Sequence, residues 1–282
     1  MSQAMSVSEL FPIVLNYFLV SFEQLKKYIQ TSLKLLIPYT IAFVVLNLLS
    51  ALVGGIAGVS VASNPSGFSD GGSTASMAGL AVAGVLGILL TILGLLMIPF
   101  AIYFSFCLIR FVINSNQQDP HTLGTTNLWA FNETFWGYLG LVGLLFLIAI
   151  PAMIAIGIGF LCLVIPGWAM LGLFSAYSYS ACFSYLENPS AGVSVALGKA
   201  LEMVKADWQR WLILSLLLGL TLIALYIIMI PVSVICAFIP FASIGLNLLM
   251  SVVSPIISMY YMYLYYHCYK DTHASTPNQQ LA

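Results

Sequence analysis

The feature that most constrains this chain is a series of long apolar runs, each of about 20 residues or more, separated by short polar segments. At about 1.5 Å per residue, an apolar helix of this length crosses a hydrocarbon core of about 30 Å. Only 6% of the 282 residues are charged. A soluble domain carries about 25%, which it needs for a charged surface. The sequence therefore predicts an all-α fold, a polytopic bundle of membrane helices.

Six spanning helices are predicted, in three hairpins. They lie at about 33–61, 77–113, 137–161, 166–187, 211–238 and 241–269. Residues 1–32 form an amphipathic leader, residues 33–270 the transmembrane domain, and residues 271–282 a polar tail that we expect to be disordered.

An approximate internal repeat accompanies the hairpins. An Ile-Pro pair stands near the start of each return helix, at Ile98-Pro99, Ile165-Pro166 and Ile239-Pro240, although the first pair lies deeper within its apolar run. Amphipathic leaders precede the outgoing helices, and aromatic residues close the second and third leaders. A threefold repeat of helical hairpins explains this order; the alternative is a coincidental regularity among hairpins.

The leaders are predicted to be interfacial helices. Apolar residues of the first leader recur at steps of three and four, which places them on one helical face: Phe11, Leu15, Phe18, Phe22, Leu25 and Ile29. The third leader has a similar stripe: Val193, Leu197, Ala200, Val204, Trp208 and Trp211. Such helices lie in the headgroup plane with the apolar face in the acyl boundary. The alternative is a helix packed against its own bundle. The candidate interfacial residues are Phe22, Lys26, Lys27, Trp136, Lys205, Trp208, Arg210 and Trp211.

Basic residues predict the orientation, because Lys and Arg collect in cytoplasmic loops. With six spans, all eight basic residues fall on one side: Lys26, Lys27, Lys34, Arg110, Lys199, Lys205, Arg210 and Lys270. Both termini are therefore predicted to be cytoplasmic. Asp70 is the one acidic residue on the opposite side.

Ionisable residues are absent from the predicted hydrocarbon depth, which argues against a charge-coupled pump, a voltage sensor or an intramembrane protease. Asn47, Asn247 and Ser251 are the candidate polar residues of an internal cavity; the alternative for the asparagines is an interhelical hydrogen bond. We find no metal-ligand spacing, phosphate loop or paired cysteines, so no cofactor, metal or catalytic residue is predicted. Without a basic stripe, no nucleic-acid binding is expected.

Small residues spaced by four mark the return helices. One stripe is Gly172, Ala176, Ser180 and Ser184. Such stripes indicate close helix packing; contact between copies of the chain or a groove for a lipid tail are the alternatives. Six tyrosines crowd the end of the sixth span, where we expect an aromatic belt at the membrane surface: Tyr260, Tyr261, Tyr263, Tyr265, Tyr266 and Tyr269.

The segment from Ile165 to Leu218 carries a family resemblance. It contains Ile165-Pro166-Gly167, then Tyr185-Leu186-Glu187-Asn188-Pro189, then the third leader with its Trp208-to-Trp211 entry into the next span. This order resembles bacterial six-helix inner-membrane proteins of uncharacterised function, a group similar to the membrane domain fused to some glycerophosphodiester phosphodiesterases. The resemblance implies a bacterial inner-membrane location and the hairpin repeat, and it transfers no catalytic residue.

Together these patterns favour a non-enzymatic membrane protein that engages membrane lipids, a membrane-protein partner or a second copy of itself. The alternative function is a facilitator or exporter of neutral or amphipathic solutes. That alternative predicts a continuous polar cavity near Asn47 and Asn247.

Overall fold

The computed structural model describes residues 7–62, 74–117, 131–162, 164–237 and 242–275. This described part is all-helical and contains no strand, as the sequence predicts. Its helices are α1 (Val7–Lys27), α2 (Ile29–Ala62), α3 (Thr74–Ser115), α4 (Glu133–Cys162), α5 (Val164–Glu187), α6 (Val193–Ala206), α7 (Trp208–Ala237) and α8 (Ala242–Ser275). A single 3₁₀ turn, Pro189–Ala191, lies between α5 and α6.

Three stretches of helix in the described part are long and apolar enough to cross a membrane: Met97–Ser115, Glu133–Leu161 and Trp208–Val234. Ser8–Lys27 and Ile29–Val45 also qualify when taken together, although an 80° bend separates them. The structure thus supports three or four spanning helices and does not confirm the six that the sequence predicts. Serine and tyrosine residues fill the second half of α5, which makes that helix less apolar than α4 or α7.

The chain divides into two compact units. Unit 1 comprises Met1–Leu35, Ser105–Pro231 and Ile256–Ala282; unit 2 comprises Leu36–Phe104 and Val232–Pro255. In unit 1 the core is aromatic, and its largest fully buried side chains include Tyr28, Phe106, Phe111, Tyr138, Phe183, Trp211, Tyr263 and Tyr266. In unit 2, Tyr39 stacks on Phe104, with ring centroids 4.1 Å apart.

Glycines set the approach of α4 to α5. A Cβ atom on Gly159 would lie 2.9 Å from the Cα atom of Gly167, so neither position has room for a side chain. Further along α5, the predicted small-residue stripe from Gly172 to Ser184 is buried, and a Cβ atom on Gly172 would overlap Ser215 of α7. Close helix packing therefore accounts for this stripe.

The junction between α5 and α6 follows from local sequence. Asn188 precedes Pro189, and a residue before proline is disfavoured in the α region, so α5 ends at Glu187. Gly192 then takes φ +86°, a conformation that costs little only for glycine. The chain can therefore reverse there and begin α6 at Val193.

Two predictions near the end of the chain are corrected. Four of the six tyrosines are buried in unit 1, so they belong to its core and not to an aromatic belt: Tyr263, Tyr265, Tyr266 and Tyr269. Their hydroxyl groups have internal partners; Tyr263, for example, lies 2.8 Å from the Ser115 hydroxyl. In addition, α8 continues to Ser275, so the first five residues of the predicted disordered tail are helical; residues 276–282 lie outside the described part.

Candidate functional site

Helix α1 has two apolar faces. One is buried within unit 1 and follows helical spacing: Leu10, Val14, Tyr17, Ser21 and Leu25. The other lies about 100° further round the helix and stays exposed: Phe11, Leu15, Leu19 and Phe22, whose exposed fractions range from 46% to 65%. We call this second set the exposed apolar face of α1. It shares Phe11, Leu15 and Phe22 with the stripe that the sequence predicts, whereas Leu25 of that stripe is buried and the prediction is wrong there.

Contacts to α8 and to the residue that follows α3 hold the buried side of α1. The Tyr17 hydroxyl donates to Asp271 of α8 over 2.7 Å. The Gln24 amide donates to Asn116 at the end of α3 over 3.2 Å. Helix α1 therefore packs against its own unit, which is the alternative that the sequence left open, and it also presents an exposed apolar face.

Two lysines stand at the end of the exposed apolar face. Lys26 and Lys27 are both exposed, and the Lys27 ammonium lies 5.3 Å from the centroid of the Tyr28 ring. Leu19, Val20, Glu23 and Gln24 join them in lining a groove of about 590 Å³. Apolar side chains and ammonium groups thus follow one another along one helix, as in helices that rest on an anionic membrane surface.

The remaining predicted interfacial residues divide into exposed and buried ones. Trp136, Lys205 and Trp208 are exposed. The prediction that Trp211 and Arg210 are interfacial is corrected, because both residues are buried in unit 1. Trp211 has no exposed surface; its ring stacks against that of Tyr265.

The third leader packs within its own unit, which is the alternative that the sequence left open. Ala200 and Val204 of its predicted stripe are buried, as Trp211 is, whereas Trp208 is exposed. The Arg210 guanidinium lies 2.9 Å from the Asp207 carboxylate as an ion pair. It also donates to the Tyr17 hydroxyl over 3.3 Å, which links α7 to α1.

A second polar cluster surrounds the last residue of α5. The Glu187 carboxylate accepts hydrogen bonds from Tyr266 over 3.1 Å and from Tyr269 over 2.9 Å. The Lys270 ammonium lies 2.7 Å from the same carboxylate. One turn further along α8, burial lowers the pKa of His273, and Lys199 contributes to this shift. These contacts join residues about 80 positions apart, so helical periodicity alone gives no sign of them.

The candidate cavity residues are not tested. Asn47 lies on α2, and Asn247 and Ser251 lie on α8, but their side chains are outside what the structure describes. Within the described residues, no group of three or more His, Cys, Asp or Glu side chains could hold a metal ion.

Comparisons with protein-family models, with curated proteins and with solved structures found no match to this chain.

Proposed function

We propose that this chain is a non-enzymatic integral protein of the bacterial inner membrane that engages membrane lipids through α1. In the proposed arrangement, all six predicted spans cross the bilayer and both termini are cytoplasmic. The one-sided distribution of the eight basic residues supports this arrangement. The family resemblance supports the location.

The observation that carries the proposal is the exposed apolar face of α1 together with Lys26 and Lys27. A soluble surface seldom exposes four large apolar side chains in a row along one helix. Helix α1 cannot bury these side chains within unit 1, because its other apolar face already packs there. Acyl chains are the natural cover for Phe22 and Leu19, and anionic headgroups complement the lysines.

The test measures lipid contact directly. The full-length protein is placed in bilayers that contain a photoactivatable phosphatidylglycerol, and cross-links are mapped to peptides by mass spectrometry. We expect strong labelling of α1 in the wild type. Phe22→Glu should reduce it several-fold, because a carboxylate at that position opposes burial in the acyl boundary. Asn16→Glu is the matched control: it adds the same charge to an exposed position of α1 that is not on the exposed apolar face, and it should keep the wild-type labelling.

The lysines predict the lipid preference. Each lysine near an anionic surface contributes about 1 kcal/mol. Lys26→Gln combined with Lys27→Gln should therefore reduce the preference for phosphatidylglycerol over phosphatidylcholine by up to about thirtyfold. Equal labelling of α1 in Phe22→Glu and Asn16→Glu would contradict the lipid role. Absence of α1 labelling by either lipid in the wild type would favour a protein partner or a second copy of the chain on this face.

The alternative, a facilitator or exporter of neutral or amphipathic solutes, depends on a polar cavity near Asn47 and Asn247. No described contact favours it.

A further inference from the structure

A partly open cavity of about 210 Å³ lies within unit 1 between α5, α7 and α8. Its lining combines aromatic rings, aliphatic side chains and hydroxyl groups, and it includes no charged side chain. An ion would find no countercharge there, so the lining suits an uncharged ligand.

The depth of the cavity restricts what reaches it. Its α7 wall runs from Ser215 to Leu222, which is about 10 to 20 Å along the helix from Trp208. Because Trp208–Val234 is apolar enough to cross a membrane, this wall lies within a hydrocarbon core of about 30 Å when α7 spans it. The molecules that surround such an opening are lipids.

Some of the hydroxyl groups are already engaged. Ser175 donates to the carbonyl oxygen of Leu171, and Ser215 donates to that of Trp211. The Tyr265 hydroxyl also lines the cavity and can donate to only one of these two serine oxygens, because it carries one proton and both serine protons are already donated.

Two further hydroxyl groups remain available. Tyr179 and Tyr261 both line the cavity. Among the described residues, neither hydroxyl has a hydrogen-bond partner, although the ring of Tyr179 stacks on that of Tyr265 with centroids 4.5 Å apart. A phenol surrounded by apolar groups is stabilised when it can donate to an acceptor. A ligand here therefore gains from carrying a carbonyl or hydroxyl oxygen.

We propose that this cavity binds the ester end of an uncharged acylglycerol, with the acyl chain leaving through the opening beside Leu218 and Leu222. At about 30 Å³ per water-sized group, the volume holds about seven such groups, enough for an ester and the first methylenes but not for a whole lipid. This inference rests on the proposed function, since it names a lipid and a site for a protein that engages lipids. The site is separate from the exposed apolar face of α1.

The experiment compares two leucine substitutions on α5. Ser175 lines the cavity, whereas Ser178 does not; both are half-buried, and each donates to the carbonyl oxygen four residues earlier over 2.9 Å. Full-length protein in phosphatidylcholine nanodiscs is irradiated with a monoacylglycerol that carries a diazirine near its ester. We expect cross-links on α5 and α7 in the wild type, a loss of at least about fivefold in Ser175→Leu, and less than a twofold change in Ser178→Leu.

A second variant and a second probe test the proposal even if Ser175→Leu does not fold. Tyr261→Phe removes only the free hydroxyl and should lower the cross-link yield about fivefold. A diazirine fatty acid, ionised at pH 9, should label the cavity several-fold less than the monoacylglycerol. Equal yields from Tyr261→Phe and wild type, or equal labelling by the ionised probe, would overturn the proposal. Because Phe22→Glu is measured separately with phosphatidylglycerol, failure at the cavity is distinguishable from failure of the proposed function.

Discussion

Glu187 forms a polar cluster with Tyr266, Tyr269 and Lys270. Among single changes in this cluster that keep the side-chain size, Glu187→Gln should destabilise unit 1 most. The Glu187 carboxylate accepts from Tyr266 and Tyr269 and pairs with Lys270. A hydrogen bond to a charged group contributes about 1.5–3 kcal/mol, roughly twice a neutral one. Glutamine loses the charge and keeps one acceptor oxygen, so it accepts from only one of the two tyrosines and can only donate its amide to the other. Each tyrosine then has at best a neutral hydrogen bond, so about half of its contribution disappears. The lysine adds at most about 1 kcal/mol, because 45% of its side chain is exposed. The expected loss is about 2–4 kcal/mol.

The free energy of unfolding is measured by titrating the purified protein in mild micelles with a denaturing detergent, followed by tryptophan fluorescence. Lys270→Gln should cost no more than about 1 kcal/mol. Glu23→Gln, an exposed glutamate on α1, is the matched control and should change stability by less than about 0.5 kcal/mol.

A double-mutant cycle tests the cause. If the Tyr269 hydroxyl acts through Glu187, then Tyr269→Phe should cost clearly less in the Glu187→Gln background than in the wild type, with a coupling energy of about 0.5–3 kcal/mol. The reasoning is refuted if the two changes are additive, or if Lys270→Gln costs as much as Glu187→Gln.

Two remaining predictions concern packing and topology. A Cβ atom on Gly219 would overlap the indole ring of Trp168, so Gly219→Ala should cost about 1–3 kcal/mol in the same unfolding assay; Gly198→Ala, on open surface of α6, should be neutral or stabilising. The proposed six-span topology places Asp70 outside the inner membrane and Glu202 in the cytoplasm. In a cysteine-free background, a membrane-impermeant thiol reagent applied to cells with a permeabilised outer membrane should label Asp70→Cys and should not label Glu202→Cys. Labelling of Glu202→Cys would exclude the proposed orientation.

The sequence was sufficient for the fold class, because apolar runs leave a chain few choices other than helices in a membrane. The six predicted spans stay a prediction, because three or four helices of the described part qualify as spanning. Helix α5 shows why: its serines and tyrosines reduce its hydropathy, yet Ser180, Ser184 and Tyr185 are buried against other parts of unit 1. Whether such a helix meets lipid or protein depends on its neighbours, which one sequence does not specify.

The candidate surface was predicted in part. Helical spacing correctly placed Phe11, Leu15 and Phe22 on one exposed face of α1. The same spacing placed the stripe of the third leader outside, which was wrong for Ala200, Val204 and Trp211, because this face packs within unit 1. The pairing of Tyr17 with Asp271 spans 254 positions and leaves no trace in local periodicity.

The polar contacts of α1 explain why its apolar face stays exposed. Hiding Phe22 within unit 1 requires the helix to turn by about 100° about its axis. That turn would withdraw Tyr17 from Asp271 and Arg210 and would leave the buried Arg210 with only Asp207. The two lost hydrogen bonds have charged partners and contribute about 1.5–3 kcal/mol each. Their sum is larger than the free energy gained by covering one half-exposed aromatic side chain. The orientation of α1 is therefore fixed by its polar face, which leaves the exposed apolar face uncovered by the described residues of unit 1.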